Sequence, residues 1–145
     1  MRKFLFSSIL FNFKIKELNI VRLIFALYIF GLAYGTRNHI IDICNDGFLG
    51  YTYVPLPINI YWTSLTVLDP LAIILLLFSS FSGMLLSVFI MATDIAVNVS
   101  VALYFYFKTG TFTLDRLLLQ VAFGIFVFVT VPIAWERIKR YREAR

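Results

Sequence analysis

Four long apolar segments constrain this chain more than any other feature of its sequence. They cover residues 20–41, 57–78, 83–107 and 116–135. Each is close to the roughly 20 residues that an α-helix needs to cross about 30 Å of hydrocarbon. Because lipid offers no hydrogen bonds to an exposed backbone, such segments cross it as helices. The sequence therefore predicts an all-α membrane protein, a bundle of four transmembrane helices that residues 1–145 form as a single domain.

The low content of charged residues argues against a water-soluble fold. Charged residues make up 14% of the chain and apolar residues 61%, whereas a soluble domain carries about 25% charged residues. The net charge of +5 does not indicate a nucleic-acid partner, because ten of the thirteen Lys and Arg residues lie near the two termini. A nucleic-acid-binding protein would carry a basic stripe across one face instead. The lipid bilayer is the expected partner.

The distribution of Lys and Arg also predicts an orientation. Both termini are basic, the first and third loops and their flanks contain Arg37, Lys108 and Arg116, and the second loop contains neither residue type. The excess of positive charge on the cytoplasmic side therefore places both termini in the cytoplasm. The start of the chain lacks a small-residue cleavage site, so no signal peptide is expected. Together with the compact loops, this pattern suits a bacterial inner membrane.

The residues before the first span predict a short interfacial helix. Five apolar side chains share one helical face there, namely Leu5, Phe6, Ile9, Leu10 and Phe13. Polar side chains occupy the opposite face, as in helices that lie in the plane of a membrane surface. We expect this helix to rest on the inner leaflet and to be separate from the first span.

Polar residues inside the spans are the best indication of a functional site. The second span has four of them on one helical face, Asn59, Trp62, Thr66 and Asp69. The third span has Asp94 and Asn98 one turn apart, and the fourth has Gln120 close to its start. Asp69 lies eleven residues past Ile58 and Asp94 eleven residues past Gly83, which corresponds to a depth of about 16 Å for each, near the midplane.

Two carboxylates at this depth require an explanation, because no basic residue shares their level. Each would cost at least ~2.5 kcal/mol if it were ionised and unpaired. Three solutions are open: protonation of one or both groups, a cation that both carboxylates bind, or a long side chain, Arg37, that reaches down to one of them.

Each aspartate also has a purely structural interpretation. Asp69 precedes Pro70 and could cap backbone groups that a proline kink leaves free. Asp94 could form an interhelical hydrogen bond, with Asn98 acting likewise. Of the two acids, Asp94 is the stronger candidate for a functional role, because no proline stands beside it. In a rival topology, a helix begins at Asp69 and Pro70, and residues 58–68 form a re-entrant or surface segment.

The end of the first span brings further polar and aromatic residues. His39 and Asp42 are three residues apart and could pair on one helical face, an arrangement that suits a general base. The alternative is an anchor at the outer interface, together with Arg37. An aromatic belt at this interface is expected from Tyr51, Tyr53, Tyr61 and Trp62.

Catalytic, cofactor and transition-metal motifs are absent from the sequence. The chain has one histidine and one cysteine, Cys44, so it lacks the ligands for a transition-metal site made by protein alone. We expect Cys44 to be a small apolar filler. We expect no cofactor, although calcium or a monovalent cation at oxygen ligands stays open.

Three functions follow as hypotheses. In the first, a polar pocket binds or transports a cation, a proton or a cationic amphiphile, with transport requiring an oligomer. The predicted ligand-binding residues are Asp69, Asp94, Asn98, Asn59, Trp62, Arg37, His39 and Gln120. In the second, the chain is a structural or accessory subunit of a membrane complex and has no ligand. In the third, which has least support, it is an intramembrane enzyme that modifies a lipid with His39 and the acids.

Overall fold

The computed structural model describes residues 2–110 and 115–143, with side chains described for residues 19–110 and 117–143. This part of the chain forms four helices: α1 (Arg2–Asp46), α2 (Leu56–Phe78), α3 (Ser80–Thr109) and α4 (Asp115–Glu143). Each contains a stretch that is long and apolar enough to cross a membrane. The prediction of an all-α protein with four such helices is confirmed.

The predicted separate interfacial helix is wrong. Helix α1 runs without interruption for 45 residues, or about 68 Å. The chain has no glycine or proline before Gly31, and Lys14, Lys16 and Glu17 are good helix formers. The polar residues between the two apolar runs therefore continue the helix, and the first span is the C-terminal part of α1.

The helices form a ring in which each packs on two neighbours. Helix α1 contacts α2 and α4, and α3 contacts the same two helices from the other side. The connections are short: residues 47–55 join α1 to α2, and Ser79 alone separates α2 from α3. Short connections make consecutive helices antiparallel. All four helices can therefore contribute side chains to one shared interior.

The surface of the bundle exposes large apolar side chains on every helix, which is compatible with a bundle that crosses a membrane. Large exposed side chains include Phe30 on α1, Val67 on α2, Phe89 on α3 and Val129 on α4. Soluble monomers rarely expose apolar surface of this extent. The fully buried side chains, among them Tyr28, Leu32, Leu65, Ile90 and Val127, form the core between the helices.

The rival topology is also wrong, because α2 continues through Pro70. Proline lacks the backbone N–H that would bond the carbonyl of Thr66, four residues earlier. The helix tolerates this loss and extends from Leu56 to Phe78. Asp69 consequently lies in the middle of α2 rather than at the start of a helix.

Candidate functional site

The carboxylate of Asp69 lies inside the bundle against α1. The residue is 4% exposed, and its Oδ1 is buried without a hydrogen-bond partner among the described residues. Its Oδ2 faces Gly35 of α1 so closely that a Cβ there would lie 2.7 Å from this oxygen. The backbone group that Pro70 leaves without a partner is the carbonyl of Thr66, and an ionised carboxylate has no proton to donate to it. The interpretation of Asp69 as a cap for the proline kink is therefore not supported.

Asp94 occupies the middle of α3 and, unlike Asp69, has partners for both oxygens. Asn98 Nδ2 donates to its Oδ1 at 2.7 Å, and Gln120 Nε2 on α4 donates to its Oδ2. Asn98 also donates to the backbone carbonyl of Asp94 at 2.9 Å. Asp94 thus links α3 to α4 through an interhelical hydrogen bond, and the two amide groups compensate its buried oxygens.

The two carboxylates are close enough to interact electrostatically. Tyr61 also lies within electrostatic range of both carboxylates. Its hydroxyl lies 2.8 Å from Thr93 Oγ1 on α3. Arg37 does not compensate the acids: its side chain is exposed, and Nη1 donates to Asn38 Oδ1 at 3.5 Å. The expectation that Arg37 reaches one of the two buried carboxylates is therefore wrong for the described residues.

Three buried polar atoms without partners lie along one face of α2. They are Trp62 Nε1, Thr66 Oγ1 and Asp69 Oδ1, and none has a hydrogen-bond partner among the described residues. The spacing of four and three residues puts these side chains on one face, in axial steps of about 6 Å and about 4.5 Å. We call this set the α2 polar row. Since about 90% of buried polar groups are hydrogen-bonded in proteins, three unpartnered atoms in one row make this row a candidate site for a ligand or for buried water.

The α1–α2 loop closes one end of the bundle beside this row. We call this end the loop end. Tyr51 is buried there, its ring centroid is 5.0 Å from that of Trp62, and its hydroxyl donates to Asp42 Oδ2 at 2.9 Å. Asn59 Nδ2 donates to the carbonyl of Leu49 at 2.7 Å and ties the loop to α2. The loop therefore covers the Trp62 end of the α2 polar row.

His39 and Asp42 meet through Tyr51 rather than by a direct contact. His39 Nδ1 lies 3.2 Å from the Tyr51 hydroxyl. Because the single phenolic proton is donated to Asp42, the histidine has to donate from Nδ1 in this arrangement. Burial, followed by the hydrogen bond and charge of Asp42, raises the pKa of Tyr51 well above its ordinary value. The phenol therefore stays a donor.

The Tyr51→Phe variant should loosen the α1–α2 loop without unfolding the bundle. It removes the contacts with His39 and Asp42 and keeps the ring on Trp62, so we expect a loss of about 1 kcal/mol of local stability. Amide hydrogen exchange over residues 47–55 would measure this loss. Tyr34→Phe, at an exposed position of α1, is the matched control. Unchanged exchange in Tyr51→Phe would show that the two hydrogen bonds do not hold the loop.

The structure places the predicted ligand-binding residues in three locations. The bundle interior contains Trp62, Asp69, Asp94, Asn98 and Gln120, whereas Asn59 and His39 lie at the loop end and Arg37 is exposed. The sequence interpretation missed two neighbours of these residues. Gly35 was overlooked although a glycine inside an apolar helix is typical of close helix approach. Tyr51 was placed in the interfacial belt, as was Trp62, and both are buried.

No group of three or more His, Cys, Asp or Glu side chains is placed to hold a metal ion within residues whose side chains are described. Cys44 is exposed, so the expectation that it fills the core is wrong.

This chain matches no protein-family model, and no curated protein or solved structure is significantly similar to it.

Proposed function

We propose that this protein binds a cation, or the cationic group of an amphiphile, at Asp69 inside its four-helix bundle. The observation that carries the proposal is the buried Oδ1 of Asp69, which has no hydrogen-bond partner among the described residues. An ionised carboxylate in this position costs at least ~2.5 kcal/mol. A bound cation removes this cost, because it supplies the missing opposite charge.

The surroundings of Asp69 also bear on whether it holds a cation or a proton. A protonated carboxyl is a hydrogen-bond donor and needs an acceptor, whereas a cation compensates the charge of the carboxylate directly. Asp94, whose oxygens accept hydrogen bonds from Asn98 and Gln120, adds a second carboxylate close to Asp69. The amide donors compensate one acid and leave the other free to bind. Asp69 is therefore the proposed ligand, and Asp94 the neighbour that strengthens the negative potential.

The cellular setting belongs to the same proposal. The basic termini support an orientation with both ends in the cytoplasm, and the compact loops suit a bacterial inner membrane. A ring of four helices is small for a permeation path, so transport of the cation would require a homo-oligomer or a partner membrane subunit.

A structural or accessory role is the second candidate, and one observation favours it. The hydrogen bond from Gln120 to Asp94 joins α4 to α3, which is how polar groups hold helices together in membranes. This role accounts for Asp94. It gives no reason for an unpartnered carboxylate at Asp69, and for that reason we place it second.

Thermal unfolding of the purified protein in detergent tests the proposal. We expect sodium, potassium or hexylammonium chloride, at constant ionic strength, to raise the Tm of the wild type. A cation present at 100 times its Kd would stabilise the folded state by about 2.7 kcal/mol. The Asp69→Asn variant should lose this response, since a neutral amide cannot pair with a cation.

Asp46→Asn is the matched control, because it makes the same chemical change at an exposed carboxylate. It should keep the full response. The proposal fails if none of the three cations raises the Tm of the wild type, or if Asp69→Asn responds as the wild type does.

A further inference from the structure

We infer that the ligand is an organic amine that also carries a hydrogen-bond acceptor, with its ammonium group at Asp69 and its acceptor oxygen at Trp62. The inference rests on the proposed function and narrows it, because it selects one ligand class among cations. It comes from the α2 polar row taken as a whole rather than from the carboxylate alone.

The chemistry of the α2 polar row differs from one end to the other. The indole Nε1 of Trp62 can only donate a hydrogen bond, the hydroxyl of Thr66 can donate or accept, and the carboxylate of Asp69 only accepts. Trp62 is 7% exposed and Asp69 4% exposed, so water outside the bundle does not reach the two ends freely. A molecule that satisfies both ends needs an acceptor at one end and a positive charge at the other.

A bare cation or a proton does not meet this requirement. Either one could satisfy Asp69, but neither can accept the proton of the Trp62 indole. Leaving a buried donor unpaired is unfavourable, because the group has lost its hydrogen bond to water. The unpartnered indole is thus an observation independent of the acid pair, and it indicates an oxygen or nitrogen acceptor on the ligand.

The geometry of α2 indicates an extended ligand. Residues 62 and 69 are separated by about 10 Å along the helix axis, and Thr66 stands between them on the same face. Leu65 and Ala72 are also buried on α2, so the interior between the polar atoms is apolar, which suits a hydrocarbon linker. Negative charge is concentrated at the Asp69 end, where Asp94 lies nearby. The ammonium group therefore belongs at that end.

Bridging water molecules are the competing occupant of the α2 polar row. Water can accept from an indole and donate to a carboxylate, and buried water commonly satisfies such groups. The two occupants differ in selectivity. Water in the row would leave the affinity for an amine independent of any oxygen at its far end, whereas a ligand that spans the row has to bind more tightly when that oxygen is present.

Aminohexanol and hexylamine are the probes, since they share the ammonium group and the six-carbon chain and differ in the terminal hydroxyl. We expect the wild-type protein in detergent to bind aminohexanol roughly tenfold more tightly, the ratio that one net hydrogen bond supplies. Trp62→Phe should bind both compounds with the affinity that the wild type shows for hexylamine. Asp69→Asn should bind neither. Isothermal titration calorimetry gives the affinities.

The methyl ether of aminohexanol provides a test without any substitution, in case Trp62→Phe does not fold. Its oxygen can accept but not donate, so it should keep the preference over hexylamine if the oxygen faces the indole. Equal wild-type affinities for aminohexanol and hexylamine, or loss of the preference in the ether, would overturn the inference and leave cation binding at Asp69 intact. Binding of sodium or potassium with no binding of either amine would overturn it as well. Absence of any cation response would instead remove the proposed function.

Discussion

Asp69→Asn should leave the ligand-free protein at least as stable as the wild type, whereas Asp94→Asn should destabilise it by about 1–3 kcal/mol. The same isosteric change is made in both variants, at two acids that share the bundle interior. Asp69 has no hydrogen bond at its buried Oδ1 to lose, and an amide is less costly to bury than an unpaired carboxylate. We therefore expect opposite signs for the change in the free energy of unfolding.

The loss at Asp94 follows from its donors. Asn98 and Gln120 donate to one carboxylate oxygen each, and an asparagine at this position offers only one acceptor oxygen. Its NH₂ group would face a second amide donor, so one hydrogen bond is lost and two donors oppose each other. Equilibrium unfolding in mixed detergent micelles, without added amine, sodium or potassium, measures both variants against Asp46→Asn. An equal loss in the two variants would show that Asp69 is also held by hydrogen bonds.

The four-helix architecture could be predicted from the sequence because a helix that can cross lipid has a simple length requirement. Four apolar segments near 20 residues long are sufficient to predict four helices. The ends of the helices are less predictable, because a helix does not stop where the hydrocarbon stops. Helix α4 continues past Trp135 to Glu143, and α1 begins long before its apolar part, since lysine, arginine and glutamate continue a helix readily.

The similar level of the two acids along the bundle was also predictable, but their different hydrogen-bond partners were not. A rise of 1.5 Å per residue places Asp69 and Asp94 at similar levels, and the structure brings them within electrostatic range. The sequence favoured Asp94 for function and allowed Asp69 to be a cap. Our proposal prefers Asp69 instead, because Gln120 approaches Asp94 from α4 and bonds one of its oxygens. The rotation of one helix about its axis relative to another depends on packing that the spacing of residues does not reveal.

The burial of aromatic residues at the loop end was likewise not predictable from the sequence. Tyr51 and Trp62 have the composition of an interfacial belt, yet both are buried because residues 47–55 fold back over the bundle. The contact between Tyr51 and Asp42 joins residues on opposite sides of the α1 terminus. No periodic pattern marks such a contact, since it depends on the path of an irregular loop.

Gly83→Ala should destabilise the protein by a net amount of about 1–2 kcal/mol and weaken cation binding at Asp69 with it. A Cβ at this position would clash with the backbone of α2, including the Cα of Leu76 at 2.6 Å and the carbonyl carbon of Leu75 at 2.8 Å. Backbone atoms cannot rotate aside, so α2 and α3 have to separate. Overpacking of this kind costs about 1–3 kcal/mol or more, which exceeds the gain of up to about 1 kcal/mol that alanine brings to a helix.

Gly124→Ala is the matched control, because the same substitution there meets mainly the flexible end of the Ile95 side chain. Rotation of that side chain can relieve the contact, so we expect little change in the free energy of unfolding. Gly83 does not contact the proposed ligand, so its substitution affects binding indirectly. Helices α2 and α3 join at Ser79, and a wider angle between them at this turn moves Asp69 away from Asp94. Thermal unfolding with and without hexylammonium chloride measures stability and binding together. Equal stability of the two variants would mean that the α2–α3 crossing tolerates a methyl group. The close approach at Gly83 would then not determine the position of Asp69 relative to Asp94.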